Sequence, residues 1–93
     1  MRLIENQNFA NKDEAIEAFD NDELIIRNCT ATACKKGGDI RRNKVVRIEN
    51  YKPIDGVGLT DRYMYGLRLG YSQTPTDANG KVYLTDVTIK NYD

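Results

Sequence analysis

This sequence contains no histidine, no tryptophan and only two cysteines among its 93 residues. Histidine is the side chain that most often shuttles protons near neutral pH, and it is also the commonest ligand of transition metals. Its absence removes most enzymatic functions. We therefore expect no catalytic residue, no metal site and no cofactor, and we expect a binding protein rather than an enzyme.

Long apolar runs are also missing. No segment approaches the roughly 20 apolar residues of a membrane span, and the N-terminus lacks the apolar stretch of a signal peptide. We expect a cytoplasmic protein that has no membrane partner. The length of 93 residues, 40% of them hydrophobic, predicts one domain that extends over 1–93.

The two cysteines, Cys29 and Cys34, lie five positions apart in a segment that has the composition of a strand. On a strand their Cα atoms would be about 16 Å apart, too far for a disulfide, and their side chains would point to opposite faces. We expect two buried thiols that are not bonded to each other.

One segment has the pattern of a helix. Asn11, followed three residues later by Glu14, resembles a capping box. Apolar residues at 15, 16 and 19 then share one side, and charged residues take the other. The pattern predicts a short amphipathic helix from Lys12 to about Asp20.

After Leu24 the apolar period changes to two, which is typical of β-strands separated by turns. The sequence predicts four strands, at Leu24–Cys34, Lys44–Tyr51, Asp61–Tyr71 and Lys81–Lys90. The glycine-containing segment 35–43 and the pair Asn79–Gly80 read as hairpin turns, and a bulge near Asp86 would restore one apolar face. The pairing of residues 2–8 stays open, and we identify no internal repeat.

The predicted fold class is therefore α+β. One short N-terminal helix packs on a mostly antiparallel β-meander of four to five strands.

The net charge of zero conceals an uneven distribution. Residues 1–24 carry two basic and seven acidic side chains, whereas residues 25–52 carry eight basic and two acidic ones. A protein with this distribution has no general attraction to polyanions, but it has one local surface of each sign.

Three candidate sites follow from this distribution. The acidic side of the predicted helix could bind a cationic partner protein, and the predicted basic hairpin could bind DNA or RNA phosphates. Arg62 and Arg68, which share a strand face with two glycines, form a patch suited to an anion or a second subunit. The acidic site comprises Asp13, Glu14, Glu17 and Asp20; the basic site comprises Lys35, Lys36, Arg41, Arg42, Lys44 and Arg47.

The segment NKDEAIEAFDNDE, followed by a tyrosine-rich set of strands, resembles the small phage and mobile-element inhibitors of the anti-CRISPR type. The resemblance implies a non-enzymatic inhibitor that binds a nucleic-acid-processing host complex and blocks it sterically or electrostatically, in the host cytoplasm. Two alternatives stay open. One is a nucleic-acid-binding module that uses the hairpin 35–47, and the other is an oligomer that sequesters an anionic nucleotide.

Overall fold

The computed structural model describes residues 1–56, 65–70 and 75–92. Eight strands and one 3-10 turn account for the regular structure of these ranges. The strands are β1 (Arg2–Glu5), β2 (Asn8–Ala10), β3 (Glu17–Phe19), β4 (Glu23–Thr32), β5 (Asp39–Arg41), β6 (Val45–Ile54), β7 (Arg68–Leu69) and β8 (Lys81–Val87), and the turn is Pro75–Asp77.

Every strand pair in the described residues is parallel. Sheet 1 has the order β1-β4-β6-β8, with β2 also paired to β4, and sheet 2 has the order β3-β5-β7. Leu24 pairs with Arg2 on one side and with Val46 on the other, so the partners on both sides are equally distant along the chain. The chain therefore winds as a parallel β-solenoid with coil 1 (1–22), coil 2 (23–44), coil 3 (45–80) and coil 4 (from 81).

Coil 3 is longer than the coils before it. Paired residue numbers differ by 22 for Ala18 and Ile40, but by 29 for Ile40 and Leu69 and by 36 for Val46 and Val82. The additional residues therefore enter between Ile54 and Tyr65 and again between Leu69 and Lys81.

The bends between strands stack on one another. Among the described residues, all ten non-glycine residues with positive φ lie at three recurring positions of the coil, where the left-handed conformation turns the chain. These residues are Asn6, Asn28, Asn50 and Asp86; Asn11, Ala33, Asp55 and Asn91; and Asp20 and Arg42.

The α+β prediction is wrong, and the helix Lys12–Asp20 does not form. Asn11 has φ 57° and Asp20 has φ 61°, so the two ends of the segment are left-handed bends, and Asn11 lacks the extended conformation of a helix cap. Between them Ile16 and Ala18 alternate inward, and β3 pairs with β5. So short a helix has little stability of its own, and pairing with the next coil decides the structure.

The antiparallel meander is also wrong. Segment 35–43, predicted as a hairpin loop, contains β5, and the pair Asn79–Gly80 ends coil 3 just before β8 rather than forming a hairpin. A Cβ on Gly80 would clash with the backbone carbonyl of Lys44, so this glycine permits close stacking of coils. The predicted bulge corresponds to the left-handed bend at Asp86. Of the predicted strand Asp61–Tyr71, residues 65–70 are described and contain only the two-residue strand β7, while the rest lies outside the described residues.

The core fills the inside of the coils. Leu24, Ile26, Val46 and Ile48 from sheet 1 and Ile40 from sheet 2 are fully buried. Tyr51 extends across the interior, where its hydroxyl donates a hydrogen bond to the Gly37 carbonyl. The prediction that both cysteines are buried and free is confirmed. Both thiols are inside, however, because the bend at Ala33 reverses the alternation between them.

Candidate functional site

The acidic and basic segments contact each other across coils 1 and 2. In the described residues, ion pairs join residues at equivalent positions of the two coils, so the partners are stacked neighbours. One of them is Glu5–Arg27 (3.4 Å), and four more involve the predicted site segments. These four pairs are Asp13–Lys35 (3.6 Å), Glu14–Lys36 (3.4 Å), Asp20–Arg42 (2.8 Å) and Asp22–Lys44 (3.2 Å).

The other basic candidates also have acidic neighbours. Arg47 lies 3.6 Å from Glu23, and Arg41 lies 3.3 Å from Asp39. The two surfaces that we predicted as separate binding sites are thus largely the two halves of one contact between coils. The helix and the hairpin that were expected to present them are absent from the described residues.

Sheet 2 brings together the most ordered cluster of polar side chains. Asp39 on β5 is 3% exposed and lies beneath two guanidinium groups. Arg68 Nη2 is 3.1 Å from one carboxylate oxygen, and Arg41 Nε is 3.3 Å from the other. Arg68 donates two hydrogen bonds to this carboxylate, from Nε (3.4 Å) and Nη2 (3.1 Å), so Asp39 fixes its position. Arg41 Nε is close enough for an ion pair but has no hydrogen-bond partner in the described residues. Arg62, which we grouped with Arg68, lies outside the described residues.

Aromatic rings lie beneath the same guanidinium groups. The Arg41 guanidinium is 4.2 Å from the centre of the Phe19 ring, and that of Arg68 is 4.6 Å from the centre of the Tyr65 ring. The Tyr65 hydroxyl is buried and makes no hydrogen bond of regular geometry with the described residues. Burial, followed by the negative charge of Asp39, raises the pKa of Tyr65 to about 12, so the phenol stays protonated near neutral pH.

Two carboxyl groups from coil 1 extend this cluster. A hydrogen bond between Glu14 and Glu17 lowers the pKa of Glu14 and raises that of Glu17. Lys36 also lowers the pKa of Glu14. The pair therefore offers one carboxylate and one carboxyl that retains its proton at higher pH than usual.

The far side of the cluster is closed by Arg42. Its guanidinium binds both carboxylate oxygens of Asp20, at 2.8 and 3.2 Å, and one oxygen of Asp77 at 2.9 Å. The hydrogen bonds to Asp20 and Asp77 raise the pKa of Arg42, and the hydrogen bond from Arg42 lowers that of Asp20. Through these hydrogen bonds the Arg42 side chain links coils 1, 2 and 3.

We call this surface the polar face. It consists of carboxyl and guanidinium groups on successive rungs of sheet 2, flanked by two aromatic rings: Glu14, Glu17, Phe19, Lys36, Asp39, Arg41, Tyr65 and Arg68. The sequence predicted binding roles for five of these residues, but in three different sites: Glu14, Glu17, Lys36, Arg41 and Arg68. It missed Phe19, Asp39 and Tyr65 as site residues. The signal that could have found them is the recurrence of an acidic residue at equivalent coil positions, Glu17 and Asp39.

The described residues contain no group of three or more cysteine, aspartate or glutamate side chains placed to hold a metal ion. They also contain no helix with the length and apolar character needed to cross a membrane. Comparisons with family models, curated proteins and solved structures find no match to this chain.

Proposed function

We propose that this chain is a non-enzymatic binding module whose polar face binds a hydroxyl-rich ligand with the chemistry of a glycan. The observation that carries the proposal is the buried Asp39, which hydrogen-bonds Arg68 and forms an ion pair with Arg41, while each guanidinium lies over an aromatic ring.

The charge of the polar face favours a ligand without strong charge of its own. Glu14, Asp39 and Glu17 balance Lys36, Arg41 and Arg68, and each of these cations has an acidic neighbour. A polyanion or a polycation would have to break these pairs. A hydroxyl group both donates and accepts hydrogen bonds, so it can bind a guanidinium and a carboxylate without separating them.

The rigidity of the face supports the same ligand class. Neighbouring strands are about 4.8 Å apart, so the side chains on them form rows of donors and acceptors at regular intervals. Because the ion pairs fix these side chains before binding, little side-chain entropy is lost when the ligand docks. The apolar edges of Phe19 and Tyr65 can contact the C–H faces of a sugar ring.

The experiment is a binding screen of the folded chain against neutral and acidic oligosaccharides, followed by titration of the best ligand. Removing a charged hydrogen-bond partner costs about 1.5–3 kcal/mol, so we expect Glu17→Gln and Arg68→Gln each to weaken binding at least about tenfold. The matched control is Glu49→Gln on sheet 1, which should bind as the unmodified chain does.

Two results would reject the proposal. The first is the absence of binding to every oligosaccharide at millimolar concentration. The second is an equal loss of affinity in Glu17→Gln and Glu49→Gln, which would show that the polar face is not the binding surface.

The inhibitor of a nucleic-acid-processing complex and the direct binding of DNA or RNA stay predictions of the sequence. Either would use side chains that are now seen in ion pairs between coils, and the nucleotide-binding alternative would use Arg68, which contacts Asp39. A pull-down from host lysate with and without nuclease tests them. Recovery of a protein complex by the chain, lost in a Glu14→Lys/Glu17→Lys variant that a thermal melt shows to be folded, would favour the inhibitor.

A further inference from the structure

The two end strands of sheet 1 each have one free edge in the described part of the chain. Strand β1 pairs only with β4, and β8 pairs only with β6. All five exposed large hydrophobic side chains of the described residues lie in coils 1 and 4. They are Met1, Leu3, Tyr83, Leu84 and Ile89. Free strand edges that carry apolar side chains are sites where a further strand can pair.

The end of coil 1 is hollow. A cavity of about 500 Å³ opens there, and its apolar lining includes Ile4, Phe9, Ala15 and Ile16. Ile4 and Phe9 are the coil 1 counterparts of the buried Ile26 and Ala31, but no further coil covers their outer side in the described structure. The opening therefore has the cross-section of the solenoid interior.

We propose that a second copy of this chain fills this end, with β8 of one copy stacked in parallel on β1 of the next. The register follows from the pairs inside the chain, because Val82 occupies the coil position of Val46, Leu24 and Arg2. It places Tyr83 beside Leu3 on the outside and Leu84 beside Ile4 on the inside. Each exposed apolar side chain of this pair of strands therefore meets an apolar partner.

The backbone N–H groups at the free edges of β1 and β8 alternate in the way that this register requires. Asn6 donates its amide to Arg27, so by alternation the N–H of Leu3 points away from β4. Lys81 donates to Lys44, so the N–H of Leu84 points away from β6. In the proposed stack Leu3 donates to Val82, and Leu84 donates to Leu3. The same pattern is found where the β4–β6 pair begins, because Val45 donates its backbone N–H to the carbonyl oxygen of Asp22.

The side chains at the left-handed bends of the two copies can also hydrogen-bond to each other in this register. Within the chain the amide of the later coil donates to the earlier one, from Asn50 to Asn28 (3.0 Å) and from Asn91 to Asp55 (2.9 Å). At the junction the next copy contributes Asn6 and Asn11 as donors, opposite Asp86 and Asn91. A carboxylate such as Asp86 can only accept, so it suits the last position of such a ladder.

The junction joins two different edges, so it is heterologous and can repeat from copy to copy. Sedimentation velocity over a range of concentrations should show a mass that grows beyond the dimer. Proline removes a backbone donor but is tolerated on a free edge. We therefore expect Leu3→Pro and Leu84→Pro each to be monomeric, whereas the controls Leu3→Val and Leu84→Val assemble.

Mixing the two proline variants gives the sharpest result. Leu3→Pro keeps a functional β8 edge and Leu84→Pro keeps a functional β1 edge, so an equimolar mixture should form a one-to-one dimer and nothing larger. Formation of that dimer also shows that both variants are folded. A chain that is monomeric at all concentrations, or a Leu84→Pro variant that dimerises alone through β1, would overturn the proposal.

Discussion

Asn43 connects three successive coils through one buried side chain. It is 1% exposed, and its Oδ1 accepts hydrogen bonds from the backbone and the side chain of Asn21, at 3.0 and 2.8 Å. Its Nδ2 donates to Asn79 Oδ1 and to the carbonyl oxygens of Ala18 and Arg41. Asn43 is therefore the middle member of a stack of three amides, Asn21, Asn43 and Asn79, that hydrogen-bond the backbone near the bends between strands.

We predict that Asn43→Asp strongly destabilises the fold. The substitution places a carboxylate against three oxygen acceptors in the interior, at a cost of about 3 kcal/mol or more in the free energy of unfolding. For a domain of this size each kcal/mol lowers the Tm by about 4–8 °C. A thermal melt measures the change.

The matched control is Asn50→Asp at an exposed bend. Asn50 loses only its single hydrogen bond to Asn28, and aspartate tolerates the same left-handed conformation. Its free energy of unfolding should change by about 1 kcal/mol or less. Equal Tm shifts in the two variants would show that the buried amide does not hold the coils together.

At the scale of elements, coil 1 and coil 2 are joined by ion pairs of different geometry. Asp20, which is 65% exposed, binds Arg42 through both oxygens beside Phe19, whereas Asp22 and Lys44 share a single contact and are 84% and 81% exposed. We predict that Asp20→Asn lowers the Tm at pH 7, while Asp22→Asn leaves it almost unchanged because exposed pairs contribute little. Asparagine keeps the left-handed bend in the first variant.

The Asp20 contribution should also depend on pH. The hydrogen bond from Arg42 lowers the pKa of Asp20 in the folded state, so the pair stabilises the fold above the ordinary pKa of an aspartate. That stabilisation disappears as the pH falls through the lowered pKa. The Tm difference between the unmodified chain and Asp20→Asn should therefore shrink as the pH is lowered from 7 toward 2, and a difference that stays constant over this range would contradict the assignment.

The sequence predicted the location of several strands but not their direction. Alternation is visible without a structure over Leu24–Arg27 and Val45–Glu49, because sheet 1 buries one face of each strand. The left-handed bends at Asn28 and Asn50 then shift the buried positions by one residue. Alternation is the same in parallel and antiparallel sheets, however, and the glycines at 37 and 38 resemble turn residues. In the structure a Cβ on Gly37 would clash with Pro53 and the Gly66 carbonyl, so packing requires glycine there.

The repeat escaped recognition because few positions require the same residue type. Asn6, Asn28 and Asn50 recur at one bend, but the inward positions hold residues as different as Phe9, Ala31 and Pro53. The polar face was not recognised because its residues are far apart in the sequence. Asp39 and Arg68 are distant along the chain and become neighbours only when the strands stack in parallel.

At the scale of the whole molecule, the structure has one defining geometric property: coils 1, 2 and 3 stack in parallel, and the numbers of partner residues on β1, β4 and β6 differ by 22. The polar face, the ion pairs between coils and the two free edges of sheet 1 all follow from that step. An antiparallel meander would separate Asp39 from Arg68 on the neighbouring rung, and it would have no solenoid end.

The most direct test is a nuclear Overhauser experiment on the isotope-labelled chain, which detects backbone protons of neighbouring strands. The parallel solenoid predicts amide-to-α contacts that connect β4 with β6 around the pairs Leu24–Val46 and Ile26–Ile48, with a constant difference between the residue numbers. Contacts between α protons whose residue numbers add to a constant, as in a hairpin between these two strands, would contradict it.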